Sequence, residues 1–229
     1  MVRGIIIIFL FTQFLLFGVS DSVGQTILGG HLQKEEFGDL DEKINRRYIK
    51  ILTTKNSFDY YLFQGKAKGI QYEMVRMFIN DLNKSLGFNK SQLKVQFELI
   101  PVDEDQLIPM LLAGKGDFIA AAMPNLAPDN QNQKIAYSKP YRHVDEVVVT
   151  RDGTPLNYIF MNKVYLNKRS SYFDSIMSFN NGGESDFLFE ETYENLNSQN
   201  ILELISLGKF EATIVDSALA ELAVKAFDN

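Results

Sequence analysis

The chain has 229 residues, 45% of them hydrophobic and 23% charged, with 23 Lys and Arg against 29 Asp and Glu for a net charge of −6. That composition excludes a disordered chain and is long enough for one large domain or two small lobes. An acidic balance with no basic stripe excludes nucleic acid as a partner. The absence of cysteine excludes a disulfide framework and thiolate chemistry, and two separated histidines, His31 and His143, lack metal-ligand spacing. Neither a metal nor another cofactor is expected.

Arg3 precedes the uncharged run "GIIIIFLFTQFLLFGV" from Gly4 to Val19, the pattern of a secretory signal. Small residues at Ser20, Ser22 and Gly24 place the cleavage after Ser20 or Gly24, so residues 1–24 are read as the signal. The alternative, an uncleaved anchor, meets a run shorter than the roughly 20 residues a spanning helix needs. Cleavage would leave a chain with no membrane span in the periplasm. Residues 25–47 form a polar segment containing Gly29-Gly30 and "DLDEKINRR", a possible helical turn.

From Tyr48 the pattern alternates. "YIKILTT" (48–54) predicts a strand. "GIQYEMVRMFINDLNKSLGF" predicts a helix with Ile70, Met74, Phe78 and Leu82 as its core stripe and Gly87 as its stop. "LKVQFELIPV" reads as strand, "EDQLIPMLLAGK" as helix and "DFIAAA" as strand, and this order predicts a mostly parallel sheet with helices on both faces. "DEVVVTRDG" (145–153) is a further strand whose polar exit, with Pro155, looks like a crossing between lobes. The second half repeats the scheme: "KVYLNKRSSYFDSIMSF" as strand, turn and helix, "SDFLFEE" as strand, "SQNILELISLGK" as helix. Lobe 1 is assigned to 48–150 and lobe 2 to 151–229. The predicted class is α/β, two lobes around a shared cleft, the architecture of a hinged small-molecule binder.

The last seam, "FEATIVDSALAELA", is a buried strand opening directly into a helix, with Asp216 at the junction. Two readings stand. Asp216 caps the helix by accepting from its first N–H groups, or it contacts a ligand, because crevices in open α/β sheets lie at such strand ends.

The order of "GDLDEKINRRYIKILTT", "GIQYEMVRMF", "DQLIPMLLAGKGDFIAAA", "YSKPYRHVDEVVVTRDG", "KVYLNKRSSYFDSI" and "NILELISLGKFEATIVDSALAELA" resembles family 3 extracellular solute-binding domains. The resemblance is nearest to the amino-terminal domain of membrane-bound lytic murein transglycosylases of the F type, and it runs from about Gly38 to the end. It implies a periplasmic-binding-protein-like fold of type II, the Venus flytrap, binding a small solute and joined in those proteins to a separate lysozyme-like domain that cleaves peptidoglycan.

The resemblance also implies a site. Aromatic residues after the first strand are matched by Tyr60 and Tyr61, hydroxyls at a helix start by Ser170 and Ser171 with Tyr172, and an acidic residue that would receive a ligand ammonium by Asp216. Each has a structural reading beside it: Tyr60 and Tyr61 as cover for the core edge, Ser170 and Ser171 as an N-cap pair. Arg142 and His143 are read as surface residues within reach of the cleft.

Two departures bear on the ligand and on catalysis. Amino-acid-binding members carry a Thr-x-Thr-Pro-Glu-Arg segment whose Arg clamps the ligand carboxylate. Here "AAAMPNLAPDNQNQK" keeps Pro128 and Asp129 but has Asn130 or Gln131 near the Arg position. The missing Arg disfavours free α-amino acids as the expected ligand and leaves a muropeptide fragment, a peptide or a sugar-like solute, with a cleft that binds nothing as a further option. A Glu-Ser pair like that of transglycosylase domains occurs only as Glu184-Ser185, in a Gly-rich loop without the segment that should follow, and is read as chance. No catalytic residue is assigned, and the 229 residues are not expected to be an enzyme. Any peptidoglycan lytic transglycosylase activity would belong to a longer parent.

Family domains return from the second lobe to the first, whereas this sequence stops at "VKAFDN", so the return segment is read as missing. Either a fragment or a gene without its 3′ part is implied. Three functions follow: a regulatory solute-binding domain of a transglycosylase F-like protein acting in peptidoglycan turnover; a stand-alone amino-acid or peptide receptor of an ABC importer; and a non-enzymatic interaction module with a degenerate cleft.

Overall fold

The computed structural model describes residues 34–88, 93–123, 135–155, 163–181, 188–193 and 196–227. The signal at 1–24, most of the departing segment (Pro128 to Gln131 included) and Glu184-Ser185 lie outside the described residues.

The first lobe opens with helix α1 (Leu40–Arg46), which leads into strand β1 (Tyr48–Thr54). A hairpin of β2 (Tyr61–Phe63) and β3 (Lys66–Lys68) precedes helix α2 (Ile70–Ser85). Strand β4 (Gln96–Val102), a 3-10 turn (Glu104–Gln106), helix α3 (Leu107–Leu112) and the short β5 (Phe118–Ile119) complete it. The sheet order is β4-β1-β5, all parallel, with Ile51 of β1 opposite Leu99 and Phe118. β1 has a burial pattern of five consecutive buried residues, as expected of a central parallel strand covered on both faces.

The second lobe contains β6 (Glu146–Thr150), β7 (Val164–Leu166), α4 (Ser171–Asn181), β8 (Phe189–Glu191), α5 (Ser198–Ser206), β9 (Ala212–Asp216) and α6 (Ser217–Phe227). Its sheet order is β6-β9-β7-β8, with β6 antiparallel to β9 and the other pairs parallel. The strand expected to close lobe 1 therefore lies in the second sheet, which moves the boundary to before Glu146. The reason is the pairing of two apolar runs, Val147–Val149 against Thr213–Val215.

Helix α2 corrects the expected core stripe. Ile70, Met74 and Phe78 are exposed, at 48%, 39% and 47%, and only Leu82 of that set packs on the core. The buried column is Gln71, Val75, Ile79 and Asn83, one residue later. Apolar residues cover a wide arc of this helix, so its inward face is fixed by neighbours rather than by the longest apolar row. Asn83 explains the phase: its Nδ2 donates to the carbonyls of Ile79 at 2.9 Å and Val95 at 3.0 Å, and its Oδ1 accepts from Val95 N at 2.8 Å. Asn83→Ala takes the side-chain partner from the buried backbone N–H and carbonyl of Val95 and is expected to cost about 1–3 kcal/mol, checked by urea unfolding.

The outward row of α2 meets β5, where Phe78 and Phe118 stack edge to face at 6.0 Å. With Leu112 and Phe37 it forms an apolar face open to solvent among the described residues.

Candidate functional site

A wide cleft of about 2200 Å³ runs between the lobes and on to that apolar face. It exceeds the about 300–1,000 Å³ of a single-solute pocket, so it is a groove and not a closed chamber. Its polar wall comes from the carboxyl ends of β1, β4, β7 and β9, where open α/β sheets present their loops.

From the first lobe, the turn after β1 presents Phe58 and Asp59 to the cleft. Asn56 shapes this turn, its Oδ1 accepting from Phe58 N at 2.9 Å and Asp59 N at 2.6 Å. The Asp59 carboxylate accepts from Asn56 Nδ2 at 2.8 Å and Thr54 Oγ1 at 3.0 Å. The turn also caps α2: Ile70 N donates to Phe58 O at 2.7 Å and Gln71 N to Asp59 O at 3.1 Å. Such close approach requires Gly69, at φ +120°, since a Cβ there would lie 2.1 Å from Asp59 O. Tyr60 packs on the first-lobe core and Tyr61 begins β2, so the two positions that line the cleft here are the preceding pair. Asp59 carries no signal in the sequence beyond its place in "FDYYLF".

From the second lobe, the turn Asn167–Ser170 and the start of α4 face the cleft. Ser170 is buried, and its Oγ donates to Asn167 O at 2.8 Å. Tyr172 packs into both second-lobe apolar clusters while its hydroxyl donates to Asp216 Oδ2 at 2.8 Å. Burial first, then the adjacent Asp216 carboxylate, pushes the Tyr172 hydroxyl above the usual tyrosine range, which keeps its proton on the donor. Asp216 ends β9, and its Oδ1 accepts from Leu219 N at 2.8 Å, the bond of a helix N-cap. The capping reading thus describes the observed bond. An ionised carboxylate has about four lone-pair sites, and these two donors leave room for a third. Ser170, Ser171, Tyr172 and Asp216 all line the cleft together. Arg142 and His143 line it too and are exposed, Arg142 lying 3.5 Å from Glu221.

The first lobe adds a residue that sequence reasoning missed. Glu104, in the turn after β4, lines the cleft beside Ser170 and Ser171. Burial, with the nearby Asp59 and Asp105 carboxylates, raises the Glu104 carboxyl above the usual carboxylate range, against the opposing pull of the Ser171 backbone N–H. Among the described residues no group of three or more His, Cys, Asp or Glu is arranged to hold a metal ion, and no helix is long and apolar enough to cross a membrane.

Residues 49–225 match the bacterial extracellular solute-binding proteins, family 3. The membrane-bound lytic murein transglycosylase F of Idiomarina loihiensis is 22% identical over 183 residues, covering 77% of this chain and 37% of the relative. That of Vibrio vulnificus is 24% identical over 222 residues, covering 86% and 39%. The chain thus spans under half the length of these curated relatives. An ancestral arginine-binding protein bound to arginine superposes with a TM-score of 0.61 at 20% identity, over 80% of this chain and 76% of that one. An ancestral amino-acid-binding protein, a precursor of cyclohexadienyl dehydratase, superposes with 0.63 at 19% identity, over 82% and 78%. These likenesses establish the type II periplasmic-binding-protein fold.

Proposed function

The chain belongs to the bacterial extracellular solute-binding proteins of family 3, and from that premise we propose that it binds a small solute in the interlobe cleft as the sensing domain of a transglycosylase F-like envelope protein. The periplasm, entered through the signal at 1–24, is its proposed location. The observation that carries the reading is the convergence of Tyr172, Asp216 and the α4 N-terminus from one lobe with Asp59 from the other on one cleft. Asp216 and Asp59 offer acceptors to an ammonium or to sugar hydroxyls, and charge-assisted bonds of this kind are the stronger ones. Muropeptides and short peptides carry both kinds of donor, which makes them the proposed ligands, with free amino acids the simpler alternative.

The residues assigned here only bind and orient. Peptidoglycan cleavage is not assigned to this cleft.

Asp216→Asn separates binding from capping, because Asn keeps the cap on Leu219 N about as well as Asp and turns its amide NH2 to the Tyr172 hydroxyl, which can accept instead of donating. The expected result by titration calorimetry is a roughly tenfold weaker Kd for an amine-bearing muropeptide, about 1.4 kcal/mol, with the melting temperature nearly unchanged. Unchanged affinity would leave Asp216 a cap alone and remove the central contact of this reading.

A further inference from the structure

The hairpin of β2 and β3 is a two-stranded sheet of its own and adds no strand to the sheet of either lobe. Its loop is Gln64-Gly65, both left-handed at φ 51° and 73°, the two-residue turn whose twist matches that of the flanking strands. The register then sorts the side chains. Tyr61 lies opposite Lys68 and Phe63 opposite Lys66, and because side chains alternate along a strand, these four share one face while Leu62 and Ala67 share the other. Tyr60 packs on the first-lobe core and bridges to Asn56, so the base of the hairpin is fixed. Its tip is bare: Leu62 is 66% and Phe63 58% exposed. Lys66 and Lys68 are exposed too, and among the described residues neither has an ion-pair partner. The nearest acids in sequence are engaged elsewhere, Asp59 by Asn56 and Thr54, Glu73 by Arg76. None of residues 61–68 lines the cleft.

A projecting apolar tip gains by entering a low-dielectric layer, and unpaired ammonium groups gain by meeting anions. The interface of an anionic bilayer offers both within the length of one side chain: aromatic rings settle at the headgroup level, and lysine stems lie along apolar surface with their charges at the phosphates. A protein partner fits less well, since a stable interface takes about 800 Å² from each side, more than a hairpin tip of this length presents. We propose that the β2-β3 hairpin docks the first lobe onto an anionic phospholipid surface, with Leu62 and Phe63 entering the headgroup layer and Lys66 and Lys68 paired with lipid phosphates.

The contact orients the lobe and does not anchor it. Only two apolar side chains enter the layer, and the chain as a whole, at a net charge of −6, is repelled by an anionic surface. Docking is therefore weak, reversible and screened by salt. Because the hairpin stands clear of the cleft, it docks whatever solute the cleft takes.

The chain has no tryptophan, so Phe63→Trp places a unique fluorophore at the tip, one that reports the hairpin whatever other segments do. With the full chain and vesicles of phosphatidylglycerol and phosphatidylcholine at low salt, its emission is expected to shift to the blue and to be quenched by brominated acyl chains. Vesicles of phosphatidylcholine alone should give a clearly smaller shift. Adding Lys66→Gln and Lys68→Gln should weaken partition into the anionic vesicles roughly tenfold, with unchanged far-UV circular dichroism. A separate probe, Leu207→Trp, exposed on the second lobe, should keep its water-exposed emission. The proposal is overturned if the tip tryptophan stays unshifted on anionic vesicles, if both kinds of vesicle bind equally, or if the double glutamine variant binds as well as its parent. An equal shift of the probe at position 207 would show adsorption that does not use the hairpin, which overturns it as well.

Discussion

Replacing Asp117 by alanine is expected to destabilise the protein by about 3–5 kcal/mol, the cost of breaking a buried ion pair from one side. Asp117 stands at the entry to β5 with its side chain 4% exposed. It pairs with Lys43 Nζ at 2.7 Å and with Arg46, and accepts from Lys50 N at 2.8 Å. Lys43 is itself only 7% exposed, so without Asp117 its ammonium has to be desolvated without this counter-ion. Glu36 reaches Arg46 and Lys50 but lies at the partly exposed rim and cannot replace a ligand at the strand entry. A domain stable by about 5–15 kcal/mol loses a large share of its margin in this way. Urea unfolding checks it: a midpoint shift worth under about 1 kcal/mol would mean that the network behaves as a surface pair does.

Leu166→Ala is expected to cost about 2–5 kcal/mol through the cavity it leaves. Leu166 is 1% exposed and packs with Val164, Ile176, Ala212 and Ile214 at the centre of the second lobe. It also precedes the Asn167–Ser170 turn, so the cavity opens directly beneath the cleft wall. Solute affinity should therefore fall along with stability. Paired measurement of the unfolding midpoint and of Kd tests this, and a stability loss with unchanged affinity would show that the turn is held by its own hydrogen bonds.

The fold was legible in the sequence where local pattern and tertiary demand agree. β1 spans the residues its apolar run predicts, and the Asp216 seam is the predicted strand end and helix start. Legibility failed where partners distant in sequence decide the outcome. The inward face of α2 is set by Asn83 binding the backbone of Val95, and a polar residue in the buried column hides that face from a periodicity argument. β6 carries no local mark of the sheet it joins; only its pairing with β9 assigns it. Lys50, fully buried in β1, reads as an ordinary strand lysine until Glu36 and Asp117 are brought beside it.

The site divides along the same line. Ser170, Ser171, Tyr172 and Asp216 come from one lobe and line one stretch of the cleft. The first-lobe contribution comes from Asp59, held by an Asn56 turn whose geometry has no sequence signature stronger than a single Asn. Glu104 lies in an acidic stretch that reads as a helix start, and its place in the cleft appears only when the opposite lobe brings Ser170 and Ser171 beside it.

The most direct test of a solute-binding cleft is the melting temperature of the purified chain against a panel of muropeptides, short peptides and amino acids. A ligand present at 100 times its Kd adds about 2.7 kcal/mol, which for a chain of this size raises the melting temperature by roughly 5–10 °C. The account predicts such a rise with a muropeptide or peptide and its loss in Asp216→Asn. A well-folded protein whose melting temperature is unmoved by every member of the panel would contradict it.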